Sequence, residues 1–291
     1  MLGVVVLRAG DLILCSGTLP RRVPFSERLE AAASAGFAGI SMWGRDYASA
    51  RSEGHTDAEI SSMLDDRGLA VAELDPAWWW LPGALESGTT IPAKYDEQQV
   101  FAYGEQEMFR IAEVVGARSL NAVDVFGGSW GLDGAAEAFA ALCDRAAEHG
   151  LLVHLEFLPW SRVPDTTTAW EITKRAGRDN GGIAVDAWHF ARSGNDLDEL
   201  AAVPPERILS VQLDDGPADP EPDLLTATLH DRYLPGEGDF DLVSLCHALE
   251  DSPAPIGVEV FSDALHSLGA AVAAQRAAEA TRAVLARAIG R

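Results

Sequence analysis

The sequence predicts a single (β/α)8 barrel spanning residues 1–291. Three observations carry that prediction. Eight short apolar runs alternate with longer amphipathic stretches, the alternation recurs about every 30 residues, and glycine closes five of the amphipathic stretches. Glycine just past a helix end supplies the left-handed backbone that other residues resist, so this punctuation marks helix termini.

The first strand is read over Asp11–Gly17 (DLILCSG), and helix Phe25–Ala35 follows and stops at Gly36. Strand two is Ala38–Trp43 (AGISMW), with helix Asp57–Arg67 closing at Gly68. Strand three is Leu69–Asp75 (LAVAELD), followed by helix Gln99–Val115 and Gly116. Strand four is Arg118–Val123 (RSLNAV), followed by helix Gly134–His149 and Gly150. Strand five is Leu151–Phe157 (LLVHLEF), followed by helix Thr166–Ala176 and Gly177. Strands six to eight are Gly182–Ala187, Ile208–Asp214 and Pro255–Phe261, and an Ala-rich helix, Leu265–Ile289, ends the chain. Each strand is rich in Val, Ile or Leu, as strands buried on both faces are.

An open doubly wound sheet would show a Gly-x-Gly-x-x-Gly turn after an early strand, and none is present. The late Gly236-Glu237-Gly238 reads as a loop. No linker or composition shift divides the chain, which favours one domain. Two connections are long: Pro76–Lys94, with Trp78, Trp79 and Trp80, and Gly216–Gly238. Both follow strands, so both fall at the barrel face that carries active sites.

Charge narrows the partners. The chain has 22 Lys and Arg against 45 Asp and Glu, a formal net charge of −23. Such a surface repels phosphate backbones and anionic membranes, which argues against nucleic-acid and membrane partners and for a small-molecule substrate. Three scattered cysteines, Cys15, Cys143 and Cys246, support neither a disulfide framework nor a zinc–cysteine site. The apolar Leu2–Leu7 run is too short to span a membrane and lacks a basic flank, so a cytoplasmic location is expected.

The sharpest signal lies at the ends of the last four strands. Strand five ends in Glu156, six in Asp186, seven in Gln212 and eight in Glu259, each polar inside an apolar run (HLEFL, AVDAW, SVQLD, GVEVF). In a closed barrel these residues surround one point. Three carboxylates there repel one another, and a divalent cation resolves the conflict. Oxygen donors suit a hard ion such as Mn2+ or Mg2+. A lone acid at a strand end is usually a solvated boundary or a helix cap; four in succession call for a shared cause.

With these residues in view, the sequence resembles the sugar phosphate isomerase/epimerase superfamily of xylose isomerase-like barrels. The resemblance covers nearly the whole chain, through Ala35-Gly36-Phe37-Ala38-Gly39-Ile40, Leu155-Glu156-Phe157, Val185-Asp186-Ala187-Trp188-His189, Val211-Gln212-Leu213-Asp214-Asp215, Leu234–Phe240 and Gly257–Phe261. It implies that Glu156, Asp186, Gln212 and Glu259 ligate the metal, Mn2+ foremost with Mg2+ or Co2+ as alternatives, and that Glu156 and Glu259 are the catalytic carboxylates on opposite sides of the substrate carbon. It also implies that His189 binds substrate, with Arg232 near a substrate-binding arginine. Glutamine at 212, where the epimerases commonly have histidine, makes zinc less favoured.

The implied chemistry is proton abstraction next to a carbonyl, through a metal-stabilised enediolate. Return of the proton gives isomerisation or epimerisation of a sugar, cyclitol or related hydroxy-ketone, which is the leading expectation. Loss of a β-hydroxyl instead would give dehydration of a cyclic hydroxy-ketone such as an inosose. A non-catalytic ligand-binding barrel is the reading from a different class. The dehydroshikimate dehydratases' histidine two residues beyond the strand-five glutamate is Leu158 here, which speaks against that specific activity. His154 is expected one layer deeper, as a core histidine, and His230 with Asp231 as a solvated loop pair. Tryptophans gathered at strand ends, among them Trp43, Trp160 and Trp188, suggest a flat-walled substrate pocket. Few basic residues (Arg45, Arg162, Arg192, Arg232) flank that mouth, so an uncharged or weakly acidic substrate is expected. The Ala-rich last helix suggests a homodimer.

Overall fold

The computed structural model describes residues 6–84, 100–125 and 130–289. Its eight strands are β1 (Leu12–Leu14), β2 (Gly39–Trp43), β3 (Ala70–Ala77), β4 (Ser119–Ala122), β5 (Leu152–Glu156), β6 (Gly181–Asp186), β7 (Ile208–Leu213) and β8 (Ile256–Val258). They pair in sequence order, all parallel, and β1 pairs with β8 to close the barrel. The predicted (β/α)8 fold is therefore the observed one.

The outer ring among the described residues is α1 (Phe25–Ser34), α2 (Gly44–Ser52), α3 (Asp57–Asp65), α4 (Glu105–Val115), α5 (Leu132–Ala147) and α6 (Thr166–Ala176). It continues with α7 (Ala187–Arg192), α8 (Leu197–Ala201), α9 (Leu224–His230), α10 (Leu242–Ala248), α11 (Asp263–His266) and α12 (Ala270–Ile289). The spacing of Met108, Ile111, Ala112 and Val115 puts them on one face of α4, and all four are buried. Burial of each larger side chain contributes roughly 1.5–3 kcal/mol. Gly116 and Gly177 end α4 and α6 in the left-handed conformation, as their positions predict.

Several elements depart from the sequence reading, and α2, α7, α8 and α10 are not among the helices it expected. The helix expected from Gln99 begins only at Glu105, capped by Gly104 in extended backbone, and residue 99 lies outside the described residues. The final helix is broken: Gly269, with φ +81°, separates α11 from α12. The long connection Gly216–Gly238 is not plain loop, because Asp223 caps α9 within it and Asp215 pairs with Tyr233. Of the Pro76–Lys94 connection, residues 85–94 lie outside the described residues, as do 2–5 of the first apolar run. No helix among the described residues is long and apolar enough to cross a membrane.

Register places the site. Asp186 pairs with Gln212, and Gln212 with Gly257, so these positions sit at one level of the barrel. A Cβ on Gly257 would lie 2.9 Å from Cys15 Sγ and 3.2 Å from Gln212 Cγ. Glycine there lets β8 approach the Gln212 side chain.

Candidate metal and substrate site

The barrel centre holds two polar layers. The deeper one is organised by Glu73 on β3 and His154 on β5, both buried. His154 Nε2 lies 3.2 Å from Glu73 Oε2 and 3.1 Å from Ser119 Oγ, and its Nδ1 lies 3.0 Å from Asn121 Oδ1. Glu73 also accepts from Ser210 Oγ at 2.8 Å and from Gln212 Nε2 at 2.9 Å. Burial alone would push the Glu73 carboxyl up. Hydrogen bonds from His154, Ser210 and Gln212, with the charge of His154, outweigh it and hold the group below its ordinary value. His154 is thus a fully partnered buried residue one layer down, where its place two residues before Glu156 puts it.

The upper layer gathers Asp75, Glu156, Asp186, Asp214 and Glu259 around Arg232. Asp186 caps α7 by accepting from the His189 backbone N–H at 2.9 Å, and its other oxygen accepts from Arg232 Nη1 at 2.8 Å. The same Nη1 lies 2.5 Å from Asp214 Oδ2 and 3.6 Å from Glu259 Oε2. Glu156 accepts from Asn121 Nδ2 at 2.6 Å and lies 3.6 Å from His189 Nε2. Asp75 accepts from the same Asn121 nitrogen at 3.1 Å and from Trp43 Nε1 at 2.9 Å.

Electrostatics follow from this crowding. Burial, then the neighbouring carboxylates, push Glu156, Glu259 and Asp214 well above the ordinary carboxylate range, and Asp75 to about 7. Asp186 goes the other way: burial is outweighed by Arg232 and His189, so its carboxyl stays low. Burial takes His189 down to about 4 despite Asp186, leaving a neutral imidazole with a free electron pair. One guanidinium faces five carboxyls, and it cannot neutralise them all.

The donors fit a cation. Oxygens of Glu156 and Asp186 and a ring nitrogen of His189 lie within 4.8 Å of one another, all buried. Gln212 donates its nitrogen to Glu73, which turns Oε1 the other way, and that buried oxygen has no hydrogen-bond partner among the described residues. An unsatisfied buried acceptor costs about 1–3 kcal/mol, which an ion or a water would recover.

Trp43, Glu156, Trp160, His189, Arg232 and Glu259 line one cavity of about 120 Å³. The structure brings these six sequence-predicted residues together. Gln212 lies beside the cluster and does not line the cavity. Trp188, expected on the substrate wall, is fully buried, donates to Thr228 Oγ1 at 2.8 Å and packs on Phe240. The other strand-end tryptophans pack and bond around the site: Trp78 meets Phe101 edge-on, Trp79 donates to Glu105, Trp80 to the Val123 carbonyl, and Trp130 lies under Arg162. His230, on α9, pairs at 3.2 Å with exposed Asp263. Inspection of the last four strands alone missed Asp75 and Asn121. The same signal marks both: a polar residue near the end of an apolar strand, in AELDP and SLNAV.

The sequence profile described as "Xylose isomerase-like TIM barrel" matches residues 29–287. A 3-dehydroshikimate dehydratase from Pseudomonas aeruginosa is 29% identical over 261 residues, covering 85% of this chain and 37% of that protein. An inosose isomerase from Bacillus velezensis is 31% identical over 154 residues, covering 52% of this chain and 54% of the relative. The chain thus spans roughly two fifths to half the length of these curated relatives. Among solved structures, the IolI protein with a bound zinc atom superposes with a TM-score of 0.80 at 21% identity, covering 97% of this chain and all of that one. A D-allulose 3-epimerase from Methylomonas sp. gives 0.66 at 18% identity, covering 97% and 99%. At these identities the structural likeness speaks for the fold, which the profile match over most of the chain also gives. On that match, the chain belongs to the xylose isomerase-like TIM barrel family.

Proposed function

We propose that this chain is a divalent-metal-dependent enzyme that moves a proton next to the carbonyl of a sugar, cyclitol or related hydroxy-ketone, as an isomerase or epimerase. The observation that carries the reading is Glu156 and Glu259 lining the same small cavity, beside a donor set with more negative charge than Arg232 balances. Glu156 and Asp186, whose oxygens lie within 4.8 Å of each other and of a His189 ring nitrogen, would hold the ion. Glu259, which lines the same cavity as Glu156, and the unpartnered Gln212 Oε1 would complete the set expected from the strand ends. Oxygen-rich ligation favours Mn2+, with Mg2+ or Co2+ as alternatives, and the zinc of the IolI structure keeps that ion on the test panel. An ion held there would supply Lewis acidity to the substrate carbonyl.

The protein's own groups do the rest. One of Glu156 and Glu259 takes the proton, and the other returns one from its own side of the carbon. Asn121 fixes the Glu156 carboxylate, His189 and Arg232 offer hydrogen bonds to substrate oxygens, and Trp43 and Trp160 supply flat walls that exclude water. A dehydratase is the second reading. What favours it is the reach of the match to the dehydroshikimate dehydratases, 85% of this chain against about half for the inosose isomerases.

The test begins with chelator-stripped protein titrated with Mn2+, Mg2+, Co2+ and Zn2+ while thermal unfolding is followed. A saturable rise, lost in the Glu156→Ala, Glu259→Ala double variant, is expected; at 100 times the dissociation constant it is about 2.7 kcal/mol. The loaded protein is then incubated in D2O with a panel of ketoses, inososes and dehydroshikimate. Deuterium at the carbon beside the carbonyl with no loss of water supports isomerisation or epimerisation, and release of water supports the dehydratase. No shift with any ion would remove the metal and leave a ligand-binding barrel.

A further inference from the structure

A second cavity opens on the same face of the barrel, beside the first. It measures about 690 Å³, and its lining includes Arg21 and Arg22 from the β1–α1 connection, Arg28 of α1, Arg45 and Asp46 of α2, and Tyr103. In a chain of net charge −23, the described residues of this lining carry four guanidinium groups and one carboxylate. All four cations are arginines, whose planar fork matches the oxygens of a phosphate.

The arrangement is built rather than scattered. Arg28 is buried and anchored: Nη1 donates to the Ser16 carbonyl at 3.2 Å and Nη2 to the Pro20 carbonyl at 3.1 Å. Arg28 Nε and Arg45 Nε lie 3.8 and 4.0 Å from the same Asp46 oxygen. Asp46 itself is held by the Trp43 backbone N–H at 2.9 Å and by Ser16 Oγ. Burial, together with the charges of Arg28 and Arg21, brings Arg45 down to about 10 although Asp46 opposes it, so like charges are pressed together here. Tyr103 forms the facing wall, packed so closely on Gly44 that a Cβ there would meet its ring at 2.5 Å.

One side chain divides the two cavities. The Arg45 guanidinium lies 4.3 Å over the Trp43 ring, and Phe261 stacks with the same indole at 5.9 Å. Trp43 and Phe261 line the first cavity and Arg45 the second. We propose that the arginine-lined cleft is a second binding site, taking the phosphate group of a small organic anion. Its size falls in the range of small-molecule sites, roughly 300–1,000 Å³, and leaves room for more than the phosphate. The site does not depend on the reaction proposed above.

Inorganic phosphate and glycerol 3-phosphate, each titrated calorimetrically into the full chain at constant ionic strength set with chloride, test this. Saturable binding is expected, with a change in tryptophan fluorescence because Arg45 covers Trp43. Binding should weaken at least tenfold in the Arg21→Gln, Arg22→Gln double variant, which alters surface side chains, and in Arg45→Met, which keeps an aliphatic cover on the indole. Tighter binding of the ester would identify a phosphorylated metabolite, and equal binding would identify free phosphate. No saturable binding of either anion, or binding unchanged in both variants, would overturn the proposal; the second result would place the anion elsewhere, for example in the first cavity.

Discussion

Asn121 joins two carboxylates with one amide: its Nδ2 donates to Glu156 Oε2 at 2.6 Å and to Asp75 Oδ1 at 3.1 Å. The other end of the amide settles which way it faces, because Oδ1 lies 3.0 Å from His154 Nδ1. His154 is in turn held by Glu73 and Ser119. A chain of contacts therefore runs from the barrel interior to the proposed base. It is the kind of support that fixes a ligand's orientation before substrate arrives.

Replacing Asn121 by Asp should break that chain. The variant puts a third carboxylate against Glu156 and Asp75 and offers no donor to either. Metal affinity is expected to fall about 10–100-fold, the usual result of losing an outer-shell partner. Titration of stripped Asn121→Asp protein with Mn2+, followed by thermal unfolding, measures it. An affinity equal to that of the native protein would mean that Asn121 does not orient Glu156.

Glu259→Gln separates proton transfer from structure. The substitution keeps the shape of a side chain that is nearly buried and lies 3.6 Å from Arg232. It removes the group that takes or returns a proton. Turnover on whichever substrate the deuterium screen identifies should fall about 10²–10⁴-fold. Circular dichroism should not change. Unaltered turnover would remove Glu259 from the reaction.

Much of this was legible in the sequence, for definite reasons. Strands buried on both faces must be apolar, so Glu156, Asp186, Gln212 and Glu259 stood out as polar interruptions; of these, Glu156 and Glu259 line the cavity, while Asp186 and Gln212 do not. Trp188 did not follow its pattern. A tryptophan after a strand end can face the pocket or the helix above it, and here a hydrogen bond to Thr228 on α9 turns it toward the helix. That helix lies inside a segment whose prolines read as loop. The Asp75–Asn121 contact spans 46 residues, and only the parallel pairing of β3 with β4 brings the pair together. The arginine cleft likewise joins three separate connections, each of which looks unremarkable in an acidic sequence.

The long β3–α4 connection should loosen in acid. Trp79 Nε1 donates to Glu105 Oε2 at 2.8 Å, and Arg145 of α5 grips the same carboxylate through two nitrogens at 2.6 and 2.7 Å. Burial pushes Glu105 up, but the bonds from Arg145 and Trp79 outweigh it and hold the carboxyl below 4.5. A depressed carboxylate contributes stability above its unfolded pKa, and that contribution is lost as the pH falls through the folded value. The native protein should therefore lose thermal stability below pH 4.5 more steeply than Glu105→Gln. Parallel pH profiles of melting temperature would show that the contact contributes nothing.

Gly257→Ala tests whether the close approach of β8 sets the position of Gln212. No positive φ is involved, so the backbone accepts alanine and only space opposes it. The new methyl would press on Cys15 Sγ at 2.9 Å, and on Gln212 Cγ and the Val211 carbonyl at 3.2 Å. Overpacking of this kind costs about 1–3 kcal/mol. Because Gln212 Nε2 is tied to Glu73, the side chain cannot yield without disturbing the layer beneath it. Both stability and metal affinity should therefore fall. Adding Cys15→Ala removes the nearest clash, and the double variant should recover part of the stability, so that the two changes do not add. Denaturant unfolding of the four proteins in the cycle gives the coupling directly. Additive losses would show that Gly257 and Cys15 do not press on one another, and full metal affinity in Gly257→Ala would detach Gln212 from the ion.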